Sequence, residues 1–169
     1  MNQVSLARDE TADVLLDRYG NMILRLAFSC MKNIPDAEDV LQDVLVKVLE
    51  KAPAFESEEH RKAWLIRVTV NICRSRLRSP WRRHKELEET DAAAAEENWL
   101  EGNIVLDAVM ALPDKYREVI HLFYYEDYSV GQIAALLGKK ESTVRSLMFR
   151  ARAILKEKLK GAVDLEESI

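Results

Sequence analysis

Apolar residues recur every three or four positions along most of the chain, which is the period of an amphipathic α-helix. The pattern predicts a helix over about residues 11–31, a second from Asp36 to Lys51 and a third from about His60 to Arg78. Asp36 is the predicted capping residue of the second helix, and Pro53 follows its end. The predicted buried stripe of that helix comprises Val40, Leu41, Val44, Leu45, Val48 and Leu49.

A second helical block begins near Ile104, with helices predicted over residues 104–112, 114–125, 130–137 and 142–160. Glycine and proline number only 5 and 4, and Ala, Leu, Glu, Lys and Arg fill the segments between them, which favours an all-α fold. The polar segment 80–103 changes charge sign and contains an alanine run, as linkers often do. We therefore predict two small helical domains, residues 1–79 and 104–169, joined by a flexible linker at 80–103.

The C-terminal block contains the signature of a helix-turn-helix. Ser129 and Gln132 have the spacing of a capping box at a helix start, and Gly138 suits a tight turn that needs left-handed backbone. The basic helix that follows occupies the place of a recognition helix.

The last helix has an outward face that is unusual for a solvated surface. At 100° per residue its core stripe is Val144, Leu147, Met148, Ala151 and Leu155, and its outer face is Ser142, Arg145, Ser146, Phe149 and Arg150. An outward phenylalanine either packs on another domain or binds a partner. Arginine can pair with guanine edges, and an aromatic ring can rest on a thymine methyl group, so we expect contact with a DNA major groove.

The net charge of −4 conceals a strong segregation of charge. Residues 61–85 hold nine Lys or Arg and no acid, and residues 139–160 hold eight bases against two acids. Residues 36–59 hold eight acids against two bases, and residues 86–101 hold seven acids and no base. Two basic blocks predict two polyanion-binding surfaces.

Aromatic side chains accompany the first basic block. Trp64 and Trp81 offer rings on which unpaired bases could stack, although a core position is the favoured interpretation for Trp64. The acidic helix before this block presents Asp39, Gln42, Asp43, Val46 and Glu50 away from its buried stripe. That face is either ordinary solvated surface or a protein-binding face, and the sequence favours neither.

Other classes of function have little support. Cys30 and Cys73 form no CxxC pair and are interpreted as reduced thiols of a cytoplasmic protein. No apolar run approaches the ~20 residues that cross a bilayer, so no membrane insertion is expected. Three scattered histidines, and the absence of metal-ligand spacing and of a Gly-rich phosphate loop, predict no metal, no cofactor and no enzyme. The alternatives are a self-sufficient DNA-binding regulator, monomeric or dimeric, and an enzyme that acts on nucleic acid.

Five segments in order resemble a known family. Residues 36–43 (DAEDVLQD) and 63–71 (AWLIRVTVN) resemble region 2 of bacterial sigma factors. Residues 112–119 (LPDKYREV), 125–129 (YEDYS) and 142–152 (STVRSLMFRAR) resemble region 4. With these two regions alone, the chain resembles the extracytoplasmic-function (ECF) group of the sigma-70 family.

The resemblance implies a sigma factor that binds core RNA polymerase and directs promoter recognition, −10 melting and transcription initiation. It implies docking on the β′ clamp helices through Asp39, Gln42, Asp43 and Val46. It implies −10 binding by Arg67, Asn71, Arg74 and Arg78 with the loop before their helix. It implies −35 recognition through Ser142, Thr143, Arg145, Ser146, Phe149 and Arg150, with the domain resting on the β flap. An anti-sigma factor as a further partner and a monomeric free state are also expected.

Overall fold

The computed structural model describes residues 2–51, 53–79 and 104–167, and the side chains of 13–51, 53–79 and 104–161. The helices of these residues are α1 (Asn2–Met31), α2 (Ile34–Lys51), α3 (Glu58–Arg78), α4 (Ile104–Met110), α5 (Asp114–Ile120), α6 (Val130–Leu137) and α7 (Glu141–Glu167), with a π-helical turn (His121–Tyr125) directly after α5. The described ranges contain no β-strand, and the all-α prediction is confirmed. The chain divides into two compact units, residues 1–93 and 94–169. The predicted linker, 80–103, lies outside the described residues.

In the N-terminal unit α1, α2 and α3 pack on one another in all three pairings. The apolar side chains Leu15, Met22, Ile23, Leu26 and Ala27 of α1 are buried. A polar contact joins the same helices at the surface: the Tyr19 hydroxyl donates to Glu58 Oε2 at 2.5 Å, at the first residue of α3. The three-helix core thus fixes the directions of α2 and α3, which carry the predicted functional side chains of this unit.

The start and the buried stripe of α2 differ from the prediction. Asn33, not Asp36, caps the helix, because its Oδ1 accepts from the Asp36 N–H at 2.8 Å while its amide donates to Asp36 Oδ2 at 2.7 Å. The buried stripe is narrower than predicted and comprises Ala37, Val40, Val44 and Val48. Leu49 is 47% exposed, because it lies 100° around the helix from Val48 and so points away from α1 and α3.

In the C-terminal unit α7 packs against α4, α5 and α6. Its core includes Val109, Leu112, Val119, Ile120, Leu122, Ile133, Val144, Met148 and Ala151. The helix predicted over 114–125 ends as an α-helix at Ile120. From there the chain forms a π-helical turn, in which the Glu126 N–H bonds to the His121 carbonyl at 3.3 Å.

A buried arginine holds the connection between α4 and α5. Arg117 is only 1% exposed, and its Nη1 donates to the Leu112 carbonyl at 2.6 Å and to the Met110 carbonyl at 3.4 Å. Its Nη2 forms an ion pair with Asp114. The guanidinium therefore satisfies carbonyl oxygens that the end of α4 leaves without intrahelical partners. Across the parts of the chain that the structure covers, no helix has the length and apolar character to cross a membrane.

Candidate nucleic-acid interface

The predicted helix-turn-helix is present with the expected local geometry. The Ser129 hydroxyl accepts from the Gln132 N–H at 3.2 Å, and Gln132 Oε1 accepts from the Ser129 N–H at 2.9 Å, so the capping box is complete at the start of α6. Gly138 ends α6 with φ 64° and ψ 35°, a left-handed conformation that a side chain would strain. The Lys139 N–H then bonds to the Ala134 carbonyl at 2.9 Å, which closes the turn into α7.

The outward face of α7 is as predicted. Val144, Leu147, Met148 and Ala151 are buried. The predicted contact residues are all exposed: Ser142, Thr143, Arg145, Ser146, Phe149 and Arg150. Phe149 is 76% exposed, the largest value among the exposed large hydrophobic side chains that the structure describes. Within its own unit this ring has no packing role, which leaves it available to a partner.

An acidic side chain that was not predicted from the sequence lies at the start of α7. Glu141 is the first residue of the helix, and its Oε2 lies 3.3 Å from Arg145 Nη2, one turn later. The pair is well exposed, with 55% and 68% of the two side chains accessible. Its (i, i+4) spacing in a predicted helix is the signal that would have found it.

The second predicted surface lies on α3. Arg67, Asn71 and Arg78 are exposed and Arg74 is half-buried, so the helix presents cations outward along three turns. Arg78 Nε donates to the Arg74 carbonyl at 3.2 Å, which holds its side chain along the helix. These four predicted residues lie on one element and are presented together.

An aromatic cluster orders the loop before α3. The Phe55 ring makes edge contacts with His60 at 5.5 Å and with Trp64 at 5.6 Å between centroids, and the Arg61 guanidinium lies 5.3 Å from the Phe55 centroid. His60 Nδ1 accepts from the Glu56 N–H at 3.2 Å. Phe55, His60 and Arg61 were not predicted from the sequence, although a lone phenylalanine in a polar loop was a usable signal. Trp64 is half-buried, and Trp81 lies outside the described residues.

The start of α3 is also tied to α1 through a carboxylate. Ser57 caps α3 by accepting from the His60 N–H at 3.1 Å, and the helix begins at Glu58, two residues before the predicted start. The Tyr19 hydroxyl lowers the pKa of Glu58 by donating to it, and Arg61 and Arg18 lower it further. Burial and the same hydrogen bond raise the pKa of Tyr19 above its ordinary value. The loop and the first turn of α3 therefore carry a fixed arrangement of charge.

The acidic face of α2 divides into two parts. Asp39, Gln42 and Val46 are exposed as predicted, and Val46 is 49% exposed. Asp43 instead reaches across to α3, where its Oδ2 accepts from Arg76 Nη2 at 2.6 Å and from Arg76 Nε at 3.1 Å. Hydrogen bonding to Asp43 is the main cause of a raised pKa of Arg76. One predicted docking residue is thus already engaged within the unit, with about half of its side chain accessible.

The described ranges contain no candidate metal site. No group of three or more His, Cys, Asp or Glu side chains within residues 13–51, 53–79 and 104–161 lies close enough together to hold an ion.

Comparison with known proteins identifies the same two regions. The family profile described as Sigma-70 region 2 matches residues 15–83, and the one described as Sigma-70, region 4 matches residues 102–155. The ECF RNA polymerase sigma factor SigW of Bacillus subtilis is 26% identical over 172 residues, covering 90% of each chain. The ECF RNA polymerase sigma factor SigM of Mycobacterium tuberculosis is 33% identical over 146 residues, covering 85% of this chain and 74% of that protein.

The similarity extends to solved structures. The sigma factor RpoE, solved in complex with the anti-sigma factor NepR from Bartonella quintana, matches with a TM-score of 0.69 and 28% identity over 89% of this chain and 98% of that chain. Both family profiles occur in the expected order, and each coincides with one of the two units. The chain therefore belongs to the sigma-70 family of RNA polymerase sigma factors, in its ECF group.

Proposed function

We propose that this sigma factor, which directs RNA polymerase to promoters, reads the −35 element as duplex through the outer face of α7. The observation that carries the proposal is the 76% exposed Phe149 between exposed arginines, on a helix whose opposite side is buried. Arg145 and Arg150 are suited to guanine edges and Phe149 to a thymine methyl group. Ser142, Thr143 and Ser146 complete the contact set with short hydroxyl side chains.

The −10 element is assigned to α3 and the loop before it. Arg67, Asn71, Arg74 and Arg78 supply donors for phosphates and bases, and positive charge at this density is stabilised when phosphates are near. The Phe55 cluster holds the loop in one arrangement, so the loop loses less conformational freedom when it meets an opened strand. Both features favour promoter opening at this unit.

Polymerase binding is assigned to other faces. Asp39, Gln42, Asp43 and Val46 on α2 present acids around an exposed valine, which suits docking on the β′ clamp helices, and the C-terminal unit rests on the β flap. Asp43 also pairs with Arg76, so we infer that it orients α3 relative to the docking face as well as contributing negative charge. Sigma factors are transcription initiation factors rather than enzymes, and this chain is assigned no catalytic group or cofactor.

Binding in two places makes strong individual contacts unnecessary. When one unit is bound, the second contact becomes intramolecular, and its effective concentration rises to the millimolar range for a short connection. We infer a monomer in the cytoplasm, where core polymerase and promoter DNA are found. The matching RpoE structure contains the anti-sigma factor NepR, which supports an anti-sigma factor as a further partner here.

Run-off transcription with purified core RNA polymerase over fragments of the source genome tests the proposal. We expect transcripts from a small set of fragments that share two elements, only when the protein is added. Asp43→Arg is expected to weaken polymerase capture in a pull-down while the unit remains folded. Failure to start transcription on any fragment would refute the proposal, and tight polymerase-independent binding in a gel shift would indicate a self-sufficient regulator instead.

A further inference from the structure

Glu141 lies at the edge of the proposed −35 surface, in contact with Arg145 and beside Gly131. Its Oε2 contacts Arg145 Nη2 at 3.3 Å. Its Oε1 lies only 2.9 Å from the point where a Cβ at position 131 would stand, and Glu141 Cδ lies 3.7 Å from that point. Gly131 is in the first turn of α6, so the carboxylate of one helix occupies space that the other helix leaves open by lacking a side chain.

The location of this carboxylate is electrostatically favourable in the free protein. The first turn of α6 carries backbone N–H groups and the positive end of the helix dipole, and Glu141 is itself in the first turn of α7. The same carboxylate is unfavourable beside phosphates, because like charges repel. An acid at the front of a DNA-reading helix therefore weakens binding to DNA in general.

We propose that Glu141 is a specificity-determining residue of the −35 surface, which holds the Arg145 guanidinium for one base position and disfavours phosphate contact elsewhere. This inference rests on the proposed −35 role of α7. A guanidinium free to rotate can pair with any nearby phosphate, whereas one held by a carboxylate offers its remaining donors in one direction. Glu141 accordingly lowers affinity for all DNA and raises discrimination at the base that Arg145 meets.

The contact with Gly131 supplies a perturbation that leaves Glu141 itself intact. In Gly131→Ala the new methyl group would lie 2.9 Å from Oε1, so the flexible end of Glu141 must move away. Alanine also favours the helix over glycine, so this change is not expected to destabilise the unit. A purely structural role for Glu141, as a first-turn acid, would leave base preference unchanged in this variant.

The test uses holoenzyme assembled from full-length protein and core polymerase, with a promoter library randomised across the −35 element and sequenced after transcription. Glu141→Gln is expected to lower the preference at the Arg145 base position by about twofold to tenfold. Binding of the free protein to random duplex should tighten, and the salt dependence of its affinity should steepen by up to about 0.9 in log–log slope. Gly131→Ala should also lower the preference, and should steepen the slope less than Glu141→Gln does, because the negative charge is retained near the surface.

Two matched controls separate these effects from general ones. Glu157→Gln removes an exposed acid from the same helix four turns later and should leave both the preference and the slope at wild-type values. Gly161→Ala places a methyl group in open space on α7 and controls for the change of glycine to alanine. Thermal unfolding of each variant excludes loss of the fold as the cause.

The outcomes distinguish this inference from the proposed function. A wild-type holoenzyme with no sequence preference at the upstream element would overturn both. A clear wild-type preference that Glu141→Gln leaves unchanged would overturn the inference alone. If Gly131→Ala kept the wild-type base preference while Glu141→Gln lost it, the part of the inference assigned to the glycine contact would be overturned.

Discussion

Replacing Phe149 with alanine should separate DNA recognition from stability. An aromatic side chain buries roughly 150–250 Å² when fully covered. With 76% of Phe149 exposed, roughly 150 Å² of it remains available to a partner. Covering half of that area on DNA, at about 25 cal/mol per Å², stabilises the complex by about 2 kcal/mol, or about 30-fold in affinity. The free energy of unfolding should change by no more than about 0.5 kcal/mol, as for other surface positions.

The DNA group that Phe149 contacts can be identified by a double-mutant cycle in which one change is made in the protein and the other in the DNA. Gel shifts of holoenzyme, assembled from core polymerase and either wild type or Phe149→Ala, give the affinity for the selected −35 sequence. Each thymine is then replaced in turn by uracil, which lacks the methyl group. At the position under the ring, uracil should cost the wild type about 0.8 kcal/mol and cost the variant nothing. The affinity of Phe149→Leu for the same DNA should lie between the affinities of wild type and Phe149→Ala.

Two results would refute this reasoning. If every replacement of thymine by uracil cost wild type and Phe149→Ala the same binding free energy, the ring would touch no methyl group. A fall of several degrees in the melting temperature of Phe149→Ala would mean that the ring supports the fold, contrary to its exposure.

Three further predictions concern the interior and the contacts between helices. Arg117→Ala should destabilise the C-terminal unit by about 3 kcal/mol or more, since it removes charged hydrogen bonds to buried carbonyl groups, and a wild-type melting temperature for that unit would contradict this. Glu58 has a folded pKa below its ordinary 4.5, so its stabilising contribution is present above that pH and is lost as the pH falls through the lower folded value. Chemical unfolding of Tyr19→Phe between pH 3 and 6 should show a smaller change over that range than wild type, and an identical profile would remove the assigned cause. A double-mutant cycle on Asp43 and Arg76 should give a coupling of about 0.5–1 kcal/mol, reduced by partial exposure, and a coupling near zero would show that the contact contributes nothing.

Local patterns predicted the helix-turn-helix well because its geometry depends on near neighbours. The capping box depends on Ser129 and Gln132, which are three positions apart, and the left-handed turn depends on Gly138 alone. The outward direction of Phe149 follows from helical period alone, since three turns of apolar residues lie opposite it. The order of the helices and the residues of the α7 core were predictable for the same reason.

Contacts between distant residues were not predictable from the pattern. Leu49 was assigned to the core because it is apolar, but only the packing of α1 and α3 decides how wide the buried stripe of α2 is. Asp43 and Arg76 are 33 positions apart, and the pair depends on the crossing of two helices. The π-helical turn after Ile120 was likewise not predicted, because the apolar period of residues 114–125 is that of an α-helix.

The residues that set the direction of α7 and the residues on its outer face form two separate sets. The turn at Gly138 and the buried Val144 and Ala151 determine where the helix points, and none of them faces outward. Outer positions such as Phe149 can therefore be exchanged at little cost to folding. Under the −35 role proposed for α7, a lineage can therefore acquire a different promoter preference one surface residue at a time while its architecture stays constant.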